Sequence, residues 1–105
     1  MAQFDVFQNP NPASRAHIPY VIALQSDLLG ALDITVVAPL RLKANNHAIP
    51  FLRLNPLLII DGDEYFFRPQ ELAAIATRNL KNPVANLSLQ RDDILAALDF
   101  LFLGF

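Results

Sequence analysis

The chain has no cysteine, which excludes a disulfide framework and any thiolate-held metal. Its three glycines, Gly30, Gly62 and Gly104, are too dispersed to form a loop that cradles phosphate. Charge is scarce: 17% of the residues carry one, where an average domain has about 25%. The eight Lys and Arg are scattered from Arg15 to Arg91 and the net charge is −2, so no basic stripe grips a nucleic-acid backbone. Every uncharged apolar run falls far short of the roughly 20 residues that span a bilayer. The opening stretch, MAQFDVFQNPNP, has neither a basic leader region nor a long apolar core. These absences lead to the expectation of a cytoplasmic protein with no membrane and no direct nucleic-acid partner.

What is present is apolar. Hydrophobic residues make up 53% of 105 residues. That length fits one domain over residues 1–105 and buries roughly 65% of the unfolded surface. So many apolar and so few charged residues leave apolar surface to spare, which favours a homodimer.

Alternation and turn residues give a chain of strands. Gln3–Gln8 alternates, with Phe4, Val6 and Gln8 on one side. NPNPAS, Asn9–Ser14, breaks it. His17–Gln25 is a second strand and Asp33–Leu40 a third, where Pro39 demands an edge or a bulge. Arg41–Pro50 reads as a mobile loop. Leu54–Ile60 and the EYFF that follows read as a hairpin around Asp61-Gly62, the strongest local signal in the sequence. PQELAAIATRNL, Pro69–Leu80, has helical propensity but only a loose helical stripe.

The last segment is the clearest helix. Ser88 reads as its N-cap, and Asp92 and Asp93 lie near the positive end of the dipole. Ile94, Leu98, Leu101 and Phe102 share one face at helical spacing. Leu103 follows Asp99 by four residues and so belongs to the polar face. The core face does not explain Leu103.

Residues that carry chemistry do not converge. His17 and His47 have no neighbour at metal-ligand spacing. Ser14, Ser26 and Ser88 occupy turn or cap contexts, with no nucleophile-elbow glycine pattern. Asp61, Asp63 and Glu64 resemble a carboxylate cluster, but D-G-D is also what a type I′ turn requires. The expectation is a protein that acts by binding, without catalysis, cofactor or metal.

Several stretches together resemble one family. They are QFDVF (Gln3–Phe7), VIALQSDLL (Val21–Leu29), VVAPL (Val36–Leu40), NPLLIIDGDEYFF (Asn55–Phe67), PVANLS (Pro83–Ser88) and RDDILAALDFLFLGF (Arg91–Phe105). In that order they are similar to the CcdB family, toxins of plasmid and chromosomal toxin–antitoxin systems whose target is DNA gyrase. The NPNPAS region is a few residues longer than in the plasmid form. The resemblance implies a mainly β protein with an SH3-like antiparallel barrel or sheet, a small β wing from the first loop and one C-terminal helix. It implies extended strand and loop, rather than helix, over Pro69–Leu80, and two copies in a dimer.

The resemblance also implies roles. The last three residues, here Leu103, Gly104 and Phe105, are the family's working end, inserted at the gyrase A subunit to trap gyrase with its DNA cut. An apolar anchor, a residue without Cβ and a second anchor suit such an insertion. The best-known member ends Trp-Gly-Ile, so Leu103 stands for the Trp and Phe105 for the Ile. The family's antitoxins contact the wing loop and the loop after the third strand, here Gln8–Arg15 and Arg41–Asn46. Carried over, the contacts for a cognate CcdA-like antitoxin are Gln8, Asn9, Asn11, Ser14, Arg15, Arg41 and Lys43. Arg15, Arg41 and Lys43 are the cations for an acidic tail. Two other readings stay open: an endoribonuclease toxin of the same architecture, and a non-toxic homologue that only binds its antitoxin.

Overall fold

A computed structural model describes residues 1–45 and 52–105. Its strands are β1 (Asp5–Gln8), β2 (Tyr20–Ala23), β3 (Ile34–Leu42), β4 (Leu57–Ile60), β5 (Asp63–Phe67), β6 (Ala73–Ala76) and β7 (Ala85–Asn86), followed by helix α1 (Arg91–Leu103). They form one antiparallel sheet in the order β4-β5-β3-β2-β1-β7, with β6 also paired to β3. The sheet curls into a nearly closed barrel with the single helix packed on it, which is the expected fold class. No described helix is long and apolar enough to cross a membrane.

The strand β3 organises the sheet. One side pairs with β2. The other side pairs first with β6, through Ile34–Val37, and then with β5, through Leu40–Leu42. Pro39 falls between those two partners. It is therefore neither on an edge strand nor in a bulge, as its type suggested. Its carbonyl accepts from the Arg68 amide at 3.1 Å. The Arg68 carbonyl, which an ordinary residue at 39 would donate to, accepts from Glu71 instead, at 3.0 Å. A proline costs nothing where its missing donor has no acceptor waiting.

Other boundaries moved for equally local reasons. The first strand starts at Asp5, because Phe4 turns to φ 69° and swings its ring into the core. The second starts at Tyr20, after Pro19, and ends at Ala23. Beyond it the Gln25 side chain accepts from the Val36 amide at 2.6 Å, doing the work of a strand carbonyl. The hairpin strand starts at Leu57, because buried Asn55 turns aside and donates to the Phe67 carbonyl at 3.0 Å. Arg41 and Leu42 are strand, not loop, and Lys43–Asn45 is a 3₁₀ turn; the rest of that expected loop, residues 46–50, lies outside the described residues. At the hairpin tip Asp61 (φ 51°) and Gly62 (φ 83°) make the two-residue turn that D-G predicts. Pro69–Leu80 is extended between two 3₁₀ turns, as the family likeness implies and against propensity.

Period-2 burial splits the apolar residues between the two faces of the sheet. Phe4, Val6, Ile22, Leu40, Leu58 and Phe67 meet Ile94 and Ala97 of α1 in the main core. Phe7, Val21, Ala23, Val37 and Leu80 form a smaller cluster on the opposite face, flanked by Ile18 and Ile75. Each large side chain fully buried here contributes about 1.5–3 kcal/mol. Ser88 does not cap α1: a 3₁₀ turn, Ser88–Gln90, precedes the helix, and Asn86 accepts from the Ser88 amide at 2.9 Å. Gln90 in turn reaches the edge strand β4, where its amide accepts from Ile59 N–H at 3.2 Å and donates to Ile59 C=O at 3.3 Å.

Candidate functional site

The chain end is built by the last turn of α1. Ile94 and Ala97 are fully buried, Leu98 and Leu101 half-buried, and the residues after Leu101 are all exposed. Phe102, expected in the core, is 69% exposed and packs with neither core cluster, although it lies four residues beyond half-buried Leu98. Leu103 is 61% exposed and Phe105 78%. Phe102 is thus an apolar member of this surface that the helical stripe had hidden.

Gly104 ends the helix in the left-handed region, at φ 81°, and its N–H donates to the Phe100 carbonyl at 2.9 Å. A Cβ there would meet nothing within 4 Å. Within the chain, then, the glycine is required by backbone conformation and not by crowding. The turn sends Phe105 back beside the helix, where it lines a cavity of about 270 Å³ with Leu52, Arg53, Pro56, Asp93, Ala96 and Asp99. The Arg53 guanidinium lies over the Phe100 ring, 4.5 Å from its centroid, and ties this flank to the helix.

The first loop, where the family likeness implies a small β wing, holds no strand between β1 and β2 but a 3₁₀ turn, Pro12–Ser14, and this wing loop is organised differently. Asn9 is buried, and every polar group it has is used. Its Nδ2 donates to Ser14 Oγ at 2.8 Å and to the Ile18 carbonyl at 2.9 Å. Its Oδ1 accepts from the Asn11 amide at 3.0 Å, and its carbonyl accepts from Arg15 Nε at 2.6 Å. Asn11 accepts from the Ala13 amide at 3.1 Å and caps the 3₁₀ turn Pro12–Ser14. Gln8 is exposed. Of the candidate antitoxin contacts, Asn9, Asn11 and Ser14 are therefore the loop's own framework.

The candidate cations are separated. Arg41, on β3, makes a two-pronged contact with Glu71, at 3.0 and 3.3 Å, and Arg68 holds the same carboxylate at 2.7 Å. Burial pushes the Glu71 carboxyl up, but the Arg41 hydrogen bond and the charges of Arg68 and Arg41 outweigh it and hold it below the usual carboxylate value. Lys43 pairs loosely with Glu64 at 3.6 Å. Arg15 instead joins two cations from a segment more than sixty residues away. Arg15, Arg78 and Lys81 line one cavity of about 450 Å³ with Gln8, Pro10 and Asn79. Pro10 and Asn79 also line an adjoining, mostly apolar cavity of about 390 Å³ with Ile18, Val21, Val37 and Ile75. Folding brings residues 15, 78 and 81 together; no local pattern could have shown it.

His17 is exposed, and His47 lies outside the described residues. Asp61, Asp63 and Glu64 are exposed at the hairpin tip, and among the described residues no group of three or more His, Cys, Asp or Glu is placed to share a metal ion.

A protein-family model described as CcdB protein matches residues 3–104 of the chain. No curated protein sequence matches it.

Proposed function

The chain belongs to the CcdB family and so to the toxins of toxin–antitoxin systems; from that premise we propose that it is a non-enzymatic poison of DNA gyrase. Leu103, Gly104 and Phe105 insert at the gyrase A subunit and hold the enzyme on cut DNA. A homodimer presents two such ends, and a cognate CcdA-like antitoxin relieves the inhibition. The observation that carries the reading is the run of apolar side chains at the end of α1, Phe102, Leu103 and Phe105, all exposed. Apolar residues left in water at a rigid helix end cost nothing in the fold and favour a partner. Antitoxin binding is supported by the cations around the wing. Arg15, Arg78 and Lys81 face one cavity, and an acidic tail that folds on binding would neutralise them. Arg41 and Lys43 reach that tail only by sharing or leaving Glu71 and Glu64.

The test is a supercoiled-DNA relaxation and cleavage assay with purified gyrase, run beside an RNA-cleavage assay. Trapped, cleaved DNA is expected, and Gly104→Arg should abolish it while the protein stays folded. RNA cleavage without any effect on gyrase would replace this reading with the ribonuclease one. Antitoxin binding without either activity would leave a non-toxic homologue.

A further inference from the structure

Positive charge is distributed unevenly over the surface. Of the eight cations, Arg41, Lys43 and Arg68 pair with carboxylates, and Arg53 lies over the Phe100 ring. The other four, Arg15, Arg78, Lys81 and Arg91, have neither kind of partner among the described residues. Three of them, Arg15, Arg78 and Lys81, line the polar cavity of about 450 Å³, and no Asp or Glu lines it with them. A cleft lined by one sign of charge focuses its field and gathers counter-ions.

The cations stand on preformed supports. Arg15 Nε donates to the Asn9 carbonyl at 2.6 Å, which holds the guanidinium in place and leaves its terminal nitrogens without a carboxylate. Arg78 belongs to the 3₁₀ turn Thr77–Asn79, and Lys81 follows it. That turn is fixed at both ends: the Thr77 hydroxyl donates to the Leu32 carbonyl at 2.9 Å, and the amide of buried Leu80 donates to the Thr77 carbonyl at 3.0 Å.

The adjoining cavity of about 390 Å³ has the opposite character. Ile18, Val21, Val37 and Ile75 line it, and the carboxylate at its margin, Glu71, is already held by Arg41 and Arg68. Asn79 lines both cavities, and its side-chain amide makes no hydrogen bond among the described residues. Each volume lies within the roughly 300–1,000 Å³ of small-molecule sites, which combine apolar walls with a few placed polar groups.

We propose that the two cavities together bind a nucleoside polyphosphate, with the base against the apolar wall and the phosphates among Arg15, Arg78 and Lys81. Arginine meets phosphate through paired, charge-assisted hydrogen bonds, so side chains hold the phosphates here without a glycine loop. Asn79, where the cavities meet, is placed to bond the sugar or the base edge. The convergence of the cations favours phosphates over a peptide. Same-face carboxylates of an extended peptide lie about 7 Å apart along a track, whereas the phosphates of one chain adjoin. The inference goes beyond the gyrase reading and does not rest on it. The acidic antitoxin tail proposed above calls on the same cations, so nucleotide and tail exclude one another there.

Calorimetric titration of the full chain at constant ionic strength compares three probes: ATP, inorganic tripolyphosphate and a tetraglutamate peptide. ATP should bind at least tenfold more tightly than either of the others. The double variant Arg78→Gln/Lys81→Gln, at exposed positions and checked for folding by circular dichroism, should weaken ATP binding tenfold or more. Arg91→Gln, which removes the unpartnered cation outside the cavity, should leave it unchanged. Failure of ATP to bind would overturn the proposal, as would an affinity that the double variant leaves intact. Equal binding of tripolyphosphate would overturn it by showing an anion patch without a nucleoside site. Tighter binding of the peptide would overturn it by giving the cavity to an acidic polypeptide. Neither gyrase nor antitoxin enters the assay, so each of these results leaves the toxin reading standing.

Discussion

The wing loop and the end of α1 both come from the family likeness as contact regions, and they are built on opposite principles. In the wing, side chains that could meet a partner already hold one another: Asn9 binds Ser14, Ile18, Asn11 and Arg15. At the helix end Phe102, Leu103 and Phe105 stand in water. The wing is a shape, fixed from inside, on which a few remaining groups can be read. The helix end is a set of exposed apolar side chains that hold no part of the core. Changes in the wing should therefore act through folding, and changes at the end through binding.

The largest effect should come from breaking the wing at its centre. Asn9→Ala leaves buried donors and acceptors without partners and is expected to cost about 2–4 kcal/mol in chemical denaturation. A loss below half a kcal/mol would mean that the loop does not depend on Asn9. At the other region Leu103→Ala should lower affinity for the gyrase A subunit by on the order of tenfold or more, read by titration with the purified fragment. Gly104→Val puts a β-branched residue at positive φ and should cost roughly 1–2 kcal/mol, confined to the last helical turn; Gly104→Asn should cost less, since Asn tolerates that conformation.

Acid sharpens the comparison further. The Glu71 carboxyl is held low in the fold, so its contribution is present above its unfolded value near 4.5 and is lost as pH falls through the lower, folded value. Glu71→Gln should flatten that part of the acid-unfolding profile, measured by circular dichroism. An unchanged profile would show that the two arginines do not stabilise the folded carboxylate. The smallest effect is the other half of the Leu103 experiment: thermal unfolding of Leu103→Ala should stay within about ±0.5 kcal/mol of the parent. A loss of roughly 2–5 kcal/mol, typical of a core leucine, would show that the end is stapled and not presented.

Local chemistry was legible where it was complete within a few residues. Asp61-Gly62 fixed its turn, Val6 and Phe7 went to opposite faces, and Leu103 emerged with Asp99 on the outer side of α1. Legibility failed where a distant partner decided the outcome. Pro39 is tolerated because two other strands meet beside it. Ser88 does not cap because a 3₁₀ turn stands between it and α1, after Asn86, which bonds back to Gln3 and Asp5 and accepts from the Ser88 amide. Phe102 fits the helical stripe, but the stripe does not say where the core it faces comes to an end. The grouping of Arg15 with Arg78 and Lys81 is likewise a product of topology.

That bond from Asn86 has a kinetic consequence. Its second branch ties Asn86 of β7 to Asp5 of β1 across 81 residues, and the same two strands pair at one end of the sheet. Contacts so distant in sequence are slow to form, because most of the chain must be ordered before they are rewarded. During synthesis β1 waits, its outer edge bare, until β7 has left the ribosome. The helix that bears Leu103, Gly104 and Phe105 follows directly after β7. The last turn of that helix thus finds a finished body beneath it only after β7 has paired, and a chain cut short before β7 loses the β1–β7 pairing and these residues together.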